Sequence, residues 1–337
     1  MTAVPLKAAD QPLHASYDAA LLDLDGVVYI GGRVVPAAPE AVEKAQAGGM
    51  KVAFVTNNAS RTPAAIAERL TRMGVPATAA QVVTSAQAAA RLVAERFPAG
   101  SAVLAVGDTG LRQALRRHGL RPVTVAAERP VAVVQGYSPR LGHDLLVEGA
   151  LAVMAGALFV LTNADRTAPL DRGVQPGNGS FGRVIAQASG TKPLVAGKPE
   201  RPLHEEGVRR TGAADPLVVG DRLDTDIEGA TNRGADSLLV LSGVTTPAEL
   251  LLAGPRHRPS YLAYDLGGLN LLHPRTDAEA GRGRCGGWTA LARAGRLELT
   301  GGGDRLDGLR ALCAAAWSTA EPVDQARLRE PLAQLGW

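Results

Sequence analysis

Asp23-Leu24-Asp25-Gly26 places two carboxylates two residues apart, behind the apolar run Ala19-Ala20-Leu21-Leu22 and ahead of a glycine. Carboxylates so arranged can attack phosphorus, bind a metal ion or move a proton. The apolar run reads as a buried parallel strand, and Gly26 lets the chain turn where that strand stops. Both acids then stand at the carboxyl edge of a sheet, where open α/β folds place their ligands. Taken alone, the same residues also make an ordinary acidic turn, since Asp and Gly are common turn formers.

Three later segments repeat the context. Lys51-Val52-Ala53-Phe54-Val55 leads into Thr56-Asn57-Asn58, a run of short hydrogen-bonding side chains. Pro193-Leu194-Val195-Ala196 leads into Gly197-Lys198-Pro199, and Leu217-Val218-Val219 leads into Gly220-Asp221-Arg222-Leu223-Asp224-Thr225-Asp226. A parallel sheet would bring all four polar clusters to one edge. Lysine is scarce in this chain (Lys7, Lys44, Lys51, Lys192 and Lys198), the remaining basic residues being arginine, so a lysine retained between a strand and a proline stands out.

The elements that must hold these residues alternate. Residues 20–84 read as strand, helix, strand, helix, strand, with Thr62 as N-cap and Pro63 in the first turn of the second helix. Residues 192–272 resume the alternation from Leu194-Val195 through Ser237 to Leu241 and Tyr261 to Ala263. Between them lies a second α/β region with strand-like runs at 102–106, 131–135 and 157–161. It also contains Thr162-Asn163-Ala164-Asp165 and Pro176-Gly177-Asn178-Gly179-Ser180, which composition alone would make surface turns.

The order D-x-D-G, T-N-N, G-K-P and G-D-x-x-x-x-D closely resembles the haloacid dehalogenase (HAD) superfamily of phosphohydrolases. The resemblance implies an α/β fold: a HAD-like Rossmannoid parallel-sheet core at 1–84 and 191–274, an inserted α/β cap of the C2a class at 85–190, and a small extension at 275–337. The T-N-x-D and P-G-x-G segments are similar to cap segments that face the core site in C2a-capped phosphatases. Members with this pattern include 4-nitrophenylphosphatases, phosphoglycolate phosphatases and nucleotidases. The extension and the 163–180 pattern most resemble actinobacterial glycerol 3-phosphate phosphatases.

What the resemblance implies chemically is a Mg²⁺-dependent phosphatase that works through an aspartyl-phosphate. Asp23 is expected as nucleophile and metal ligand, Asp25 as general acid/base with its backbone carbonyl on the metal, and Asp221 as a further ligand. Asp226 is expected to hold the metal's waters or orient Lys198. Thr56, Asn57 and Asn58 are the candidate phosphate contacts, with Lys198 supplying positive charge; Asn58 could equally serve as a loop cap. The favoured substrate is glycerol 3-phosphate, the alternatives being phosphoglycolate, pyridoxal phosphate or a nucleoside monophosphate. A noncatalytic phosphate sensor is the reading from another class, but such proteins lose the nucleophile or a metal carboxylate, and here all are present. Transfer to an alcohol acceptor instead of water would be separated by weighing free phosphate against phosphorylated acceptor.

Composition sets the outer limits. With 337 residues and 46% hydrophobic content the chain can build two cores, which excludes a disordered protein. A formal charge of +3 and 4% aromatic residues argue against a nucleic-acid groove or stacking platform. Two cysteines make no disulfide framework, and Met1 to Asp18 lacks a continuous apolar stretch, so a cytoplasmic enzyme is expected. The uncharged stretch Gly149 to Asn163 is too short to cross a bilayer. Residues 275–337 open on a Gly/Arg-rich segment, with a short strand expected at 294–299 and a helix around 306–317. The extension is expected to be a packing or homodimerisation appendage, dispensable for bond breaking.

Overall fold

Apolar runs bounded by Gly, Pro or Asp become buried strands. In chain order these are β1 (Ala19–Leu22), β2 (Lys51–Thr56), β3 (Val82–Thr84), β4 (Ala102–Val106), β5 (Arg121–Val123), β6 (Ala132–Gln135), β7 (Leu158–Leu161), β8 (Leu194–Val195), β9 (Pro216–Gly220), β10 (Ser237–Val240) and β11 (Tyr261–Ala263). The computed structural model describes residues 6–170 and 173–337. The chain divides into two compact units, Met1–Val52 with Ala213–Trp337, and Ala53–Gly212. The division falls within β2 and after the helix Arg201–Thr211, so the segments around Thr56 and Lys198 group with the inserted sheet.

In the first unit the strand order is β11-β10-β9-β1, all parallel. Ala19 pairs with Pro216 and Leu22 with Val219, which sets the ends of β1 and β9 side by side. Every residue of both strands is buried, as a sheet covered on two faces requires. At the other end of this sheet, Tyr17 donates to Asp236 (2.7 Å) and meets the Tyr261 hydroxyl (3.0 Å), tying the entry to β1 to the neighbouring strands.

The extension belongs to this unit. It is an antiparallel meander of β12 (Thr276–Glu279), β13 (Arg282–Cys285), β14 (Trp288–Arg293) and β15 (Arg296–Gly301), followed by the helix Arg305–Ser318. The Gly/Arg-rich segment is thus β13 and its turns. The strand expected from Ala294 begins at Arg296, because Ala294 and Gly295 have positive φ and form the β14–β15 turn. Ala280 and Gly281 turn β12 into β13 in the same way. Residues alternate inward and outward along β13 and β15, as half-buried strands do. The helix is buried nearly all round, with Leu306, Leu309, Leu312, Cys313 and Trp317 in one apolar cluster with Ile227, Leu239, Leu250, Leu251 and Leu262. A helix that is apolar on all sides needs cover on all sides. The extension therefore shares a core with the first sheet, a closer union than a packing or homodimerisation appendage requires.

In the second unit β2 pairs with β3, and a parallel sheet runs β8-β7-β6-β4-β5. Leu194–Val195, expected in the first sheet, instead pairs with β7 through Leu194↔Val160 and Val195↔Leu161. Two residues pinched between Pro193 and Gly197 carry too little pattern to declare a sheet. The core here gathers Leu104, Val106, Val133, Phe159, Leu161 and Ile185. Among the described residues, no helix is long and apolar enough to cross a membrane.

Candidate active site

The first unit concentrates acid at the ends of β1 and β9. Asp23 continues the ladder past Leu22, its amide donating to Val219 O at 2.9 Å. Gly26 then turns the chain with φ +85°, and a Cβ there would lie 2.3 Å from Asp221 Oδ2. Only glycine satisfies both the conformation and the approach. Asp221 follows β9 directly and is fully buried. A wide, π-type helical turn over Leu223–Ile227 brings the chain back, and Asp226 Oδ2 accepts from the Arg222 amide at 3.1 Å. The result is a trio: Asp23, Asp221 and Asp226 each offer a carboxylate oxygen, all within 4.8 Å of one another.

Three converging carboxylates repel one another unless a cation compensates them, and hard oxygen donors suit Mg²⁺. The residues present therefore fit a divalent magnesium site. Asp25 stands apart from the trio, with an exposed side chain whose Oδ2 accepts from the Tyr29 hydroxyl at 3.5 Å. Asp224 is drawn the other way, into an exposed pair with Arg222 (3.0 and 2.8 Å).

Sequence reasoning missed a further contributor, Ser242-Gly243-Val244-Thr245, just past β10. The Val244 amide donates to Asp221 Oδ2 at 2.6 Å, and the Thr245 amide donates to the Asp221 carbonyl at 3.1 Å. The Ser242 hydroxyl donates to Gly26 O at 2.7 Å. A Cβ on Gly243 would lie 2.0 Å from Asp221 Oδ2. The segment grips Asp221 through backbone groups, so side-chain chemistry gave no sign of it; its place after a buried strand was the available signal.

In the second unit Asn57 ties the T-N-N and G-K-P segments together. Its Oδ1 accepts from the Lys198 amide (2.8 Å), while its Nδ2 donates to Lys198 O (3.2 Å) and to the Asp165 carboxylate (3.2 and 3.3 Å). The Asn57 carbonyl accepts from Ser85 Oγ and Asn163 Nδ2, both at 2.7 Å. A Cβ on Gly197 would lie 2.5 Å from Asn57 Oδ1, so the residue before the lysine must be glycine. Lys198 is buried, with Nζ 3.4 Å from Val55 O. Thr56 is buried and accepts from the Asn58 amide at 3.1 Å. Asn58 uses its Oδ1 to receive Ser60 N, Ser60 Oγ and Arg61 N, an Asx turn that leads to Thr62 capping the helix Pro63–Arg72. The two cap segments interlock: buried Asn178 donates to Asn163 O at 2.7 Å and accepts from Gln135 at 2.9 Å.

Comparison with known proteins agrees with these motifs. A haloacid dehalogenase-like hydrolase family model matches residues 20–121, and a HAD-hydrolase-like model matches residues 195–269. A GCN5-related N-acetyltransferase-like domain matches residues 285–337. D-Glycerol 3-phosphate phosphatase from Mycobacterium tuberculosis is 45% identical over 254 residues, 75% of this chain and 71% of that protein. A 5'-nucleotidase from Bacillus subtilis is 38% identical, over 68% of this chain and 89% of that protein. A crystal structure of a glycerol phosphate phosphatase from M. tuberculosis, in complex with magnesium, superposes with a TM-score of 0.86 at 38% identity. It covers 98% of this chain and 99% of that one. A p-nitrophenyl phosphatase from Archaeoglobus fulgidus gives 0.70 at 30% identity, over 75% of this chain and 98% of that one.

Proposed function

Because the chain belongs to the haloacid dehalogenase superfamily of phosphatases, and is a Mg²⁺-dependent hydrolase of small phosphomonoesters, we propose that its physiological substrate is glycerol 3-phosphate. The observation that carries this reading is likeness over the full length, extension included, to a glycerol phosphate phosphatase. The kinship with a 5'-nucleotidase supports nucleoside monophosphates as the second reading.

Asp23, Asp221 and Asp226 would hold the metal. Bound there, the cation would draw charge from the phosphoryl oxygens, which otherwise repel an anionic nucleophile. An Asp23 oxygen attacks phosphorus as the P–O bond to the glycerol oxygen breaks, leaving an acyl phosphate on Asp23. Asp25, exposed and outside the acidic trio, gives its proton to the departing alkoxide. It then takes a proton from the water that attacks phosphorus, restoring the Asp23 carboxylate and releasing inorganic phosphate.

The phosphoryl group is received by Thr56 and Lys198, and Asn57 fixes the lysine segment by gripping its amide and carbonyl. Asn58 shapes the same loop. In this reading 1–84 and 191–274 form the catalytic core and 85–190 the cap. The enzyme works in the cytoplasm on a free metabolite, without nucleic acid, as a homodimer. Steady-state kcat/KM across glycerol 3-phosphate, phosphoglycolate, pyridoxal phosphate and nucleoside monophosphates tests the substrate. A preference for any of the others by tenfold or more overturns the assignment.

A further inference from the structure

We propose that the C-terminal extension positions the acidic trio, with Trp317 as the positioning residue that carries the coupling. The inference rests on the reading of Asp23, Asp221 and Asp226 as the metal-holding set. Two routes lead from the extension to that set, both within the first unit.

One route runs through Asp221. Its carboxylate and carbonyl are held by the amides of Val244 and Thr245, and Thr246 immediately caps the helix Pro247–Leu251. That helix is only five residues long and fixes little by itself. What anchors it is the extension: Leu250 and Leu251 lie in the shared core, and the Trp317 indole N–H donates to the Leu250 carbonyl at 3.2 Å. Arg258 lies over the Trp317 ring, 5.3 Å from its centroid, and donates to the Trp317 carbonyl at 3.3 Å, so one arginine holds both the ring and the backbone of this residue. The second route runs through Asp226, whose neighbour Ile227 is fully buried in the same cluster. A ladder of backbone bonds would normally fix a metal loop. Here the π-type turn and a five-residue helix do so, and their outer faces rest on the extension.

The extension's likeness to an acetyltransferase-like domain raises an acyl-carrier site as the competing role. The place for a carrier's phosphates would be the N-terminus of Arg305–Ser318, after the glycine run. That end is already filled by the Asp304 carboxylate, which accepts from the Leu306 amide at 2.7 Å, with Asp307 in the same turn. The buried helix is better explained as a wedge.

The test uses the full-length protein. Calorimetric titration with Mg²⁺ and hydrogen exchange of residues 241–251 in the metal-free protein are measured for wild type, Trp317→Phe and Leu335→Ala. The phenylalanine keeps the ring and removes the N–H donor; Leu335 shares the apolar cluster but packs on Gly308, nearer the start of the same helix, and makes no hydrogen bond to the Leu250 carbonyl. We expect Trp317→Phe to weaken Mg²⁺ binding by about three- to tenfold, the effect of one lost hydrogen bond, and to speed exchange at 241–251. Leu335→Ala should lower the melting temperature without either change. If both variants lose stability and neither moves metal affinity or exchange, the extension is merely structural and the proposal fails. Should Trp317→Phe not fold, Leu250→Val, which leaves the carbonyl in place but trims the apolar packing of the same short helix on the extension, is read under the same criteria. Asp221→Asn serves as the separate control: wild-type Mg²⁺ affinity in that variant would overturn the metal-site reading itself.

Discussion

Single residues divide here by the kind of group they use. Asp23 and Asp221 were legible because carboxylates after buried strands are conspicuous; Asp226, read only as holding the metal's waters or orienting Lys198, has a carboxylate oxygen within 4.8 Å of theirs. Gly243 and Val244 were not legible, since an amide and a missing side chain look the same in any loop. The distinction yields a test. Gly243→Ala drives a Cβ to within 2.0 Å of Asp221 Oδ2, whereas Gly254 has open space at the corresponding point. Gly243→Ala should therefore weaken Mg²⁺ activation by at least about tenfold, as expected for a misplaced ligand support, while Gly254→Ala leaves it unchanged; a magnesium titration of initial rate reads both. Asp23→Asn should fold normally and lose roughly three orders of magnitude or more in kcat. Asp25→Asn should hurt glycerol 3-phosphate more than an aryl phosphate, since nitrophenolate departs without a proton. Rapid quench of the aryl reaction should trap phosphate on the protein, and equal losses with no trapped phosphate would remove Asp25 from acid/base duty.

At the scale of elements, patterns of period two and strand-end punctuation carried most of the reading. The four motif-bearing strands were found, but β8 was assigned to the wrong sheet because two residues hold no register information. The extension's strands alternate plainly, yet its turns were obscured: Ala280 and Ala294 occupy left-handed positions that glycine or asparagine would advertise. Alanine there stores strain, so Ala294→Gly, at an exposed site, should stabilise the protein by about 1 kcal/mol, read as a rise in melting temperature. His273 makes a second prediction. Burial lowers its pKa, aided by the nearby Arg310 charge and opposed by its bond to the Gly268 carbonyl. The folded state thus takes up a proton less readily than the unfolded one. Its contribution is complete above the ordinary histidine value and is lost as pH falls through the depressed folded value. The fall in melting temperature from pH 7.5 to 5.5 should be shallower in His273→Gln than in wild type; identical slopes would exclude His273 as a source of the acid sensitivity.

The whole molecule poses the question of what the last sixty or so residues are for. Sequence placed all four motifs before residue 275, and the expectation that the rest is dispensable for bond breaking leaves out the apolar surface that the extension covers. A p-nitrophenyl phosphatase whose chain is 98% covered aligns with only 75% of this one, so the catalytic fold can exist without such an extension. In this chain Ile227, Leu239, Leu250, Leu251 and Leu262 are closed over by Leu309, Leu312 and Trp317, and the Leu262 carbonyl accepts from buried Arg310 at 2.7 Å. Ending the chain at Pro274 would expose that apolar face and leave the carbonyl unpaired, at a cost set by area removed from cover and not by any catalytic group. The truncated protein should accumulate as aggregate, whereas co-expressing residues 275–337 as a separate chain should restore soluble, magnesium-responsive phosphatase. A monomeric, soluble 1–274 fragment with wild-type melting temperature would show that the shared core is not needed, and would return the extension to the status its sequence first suggested.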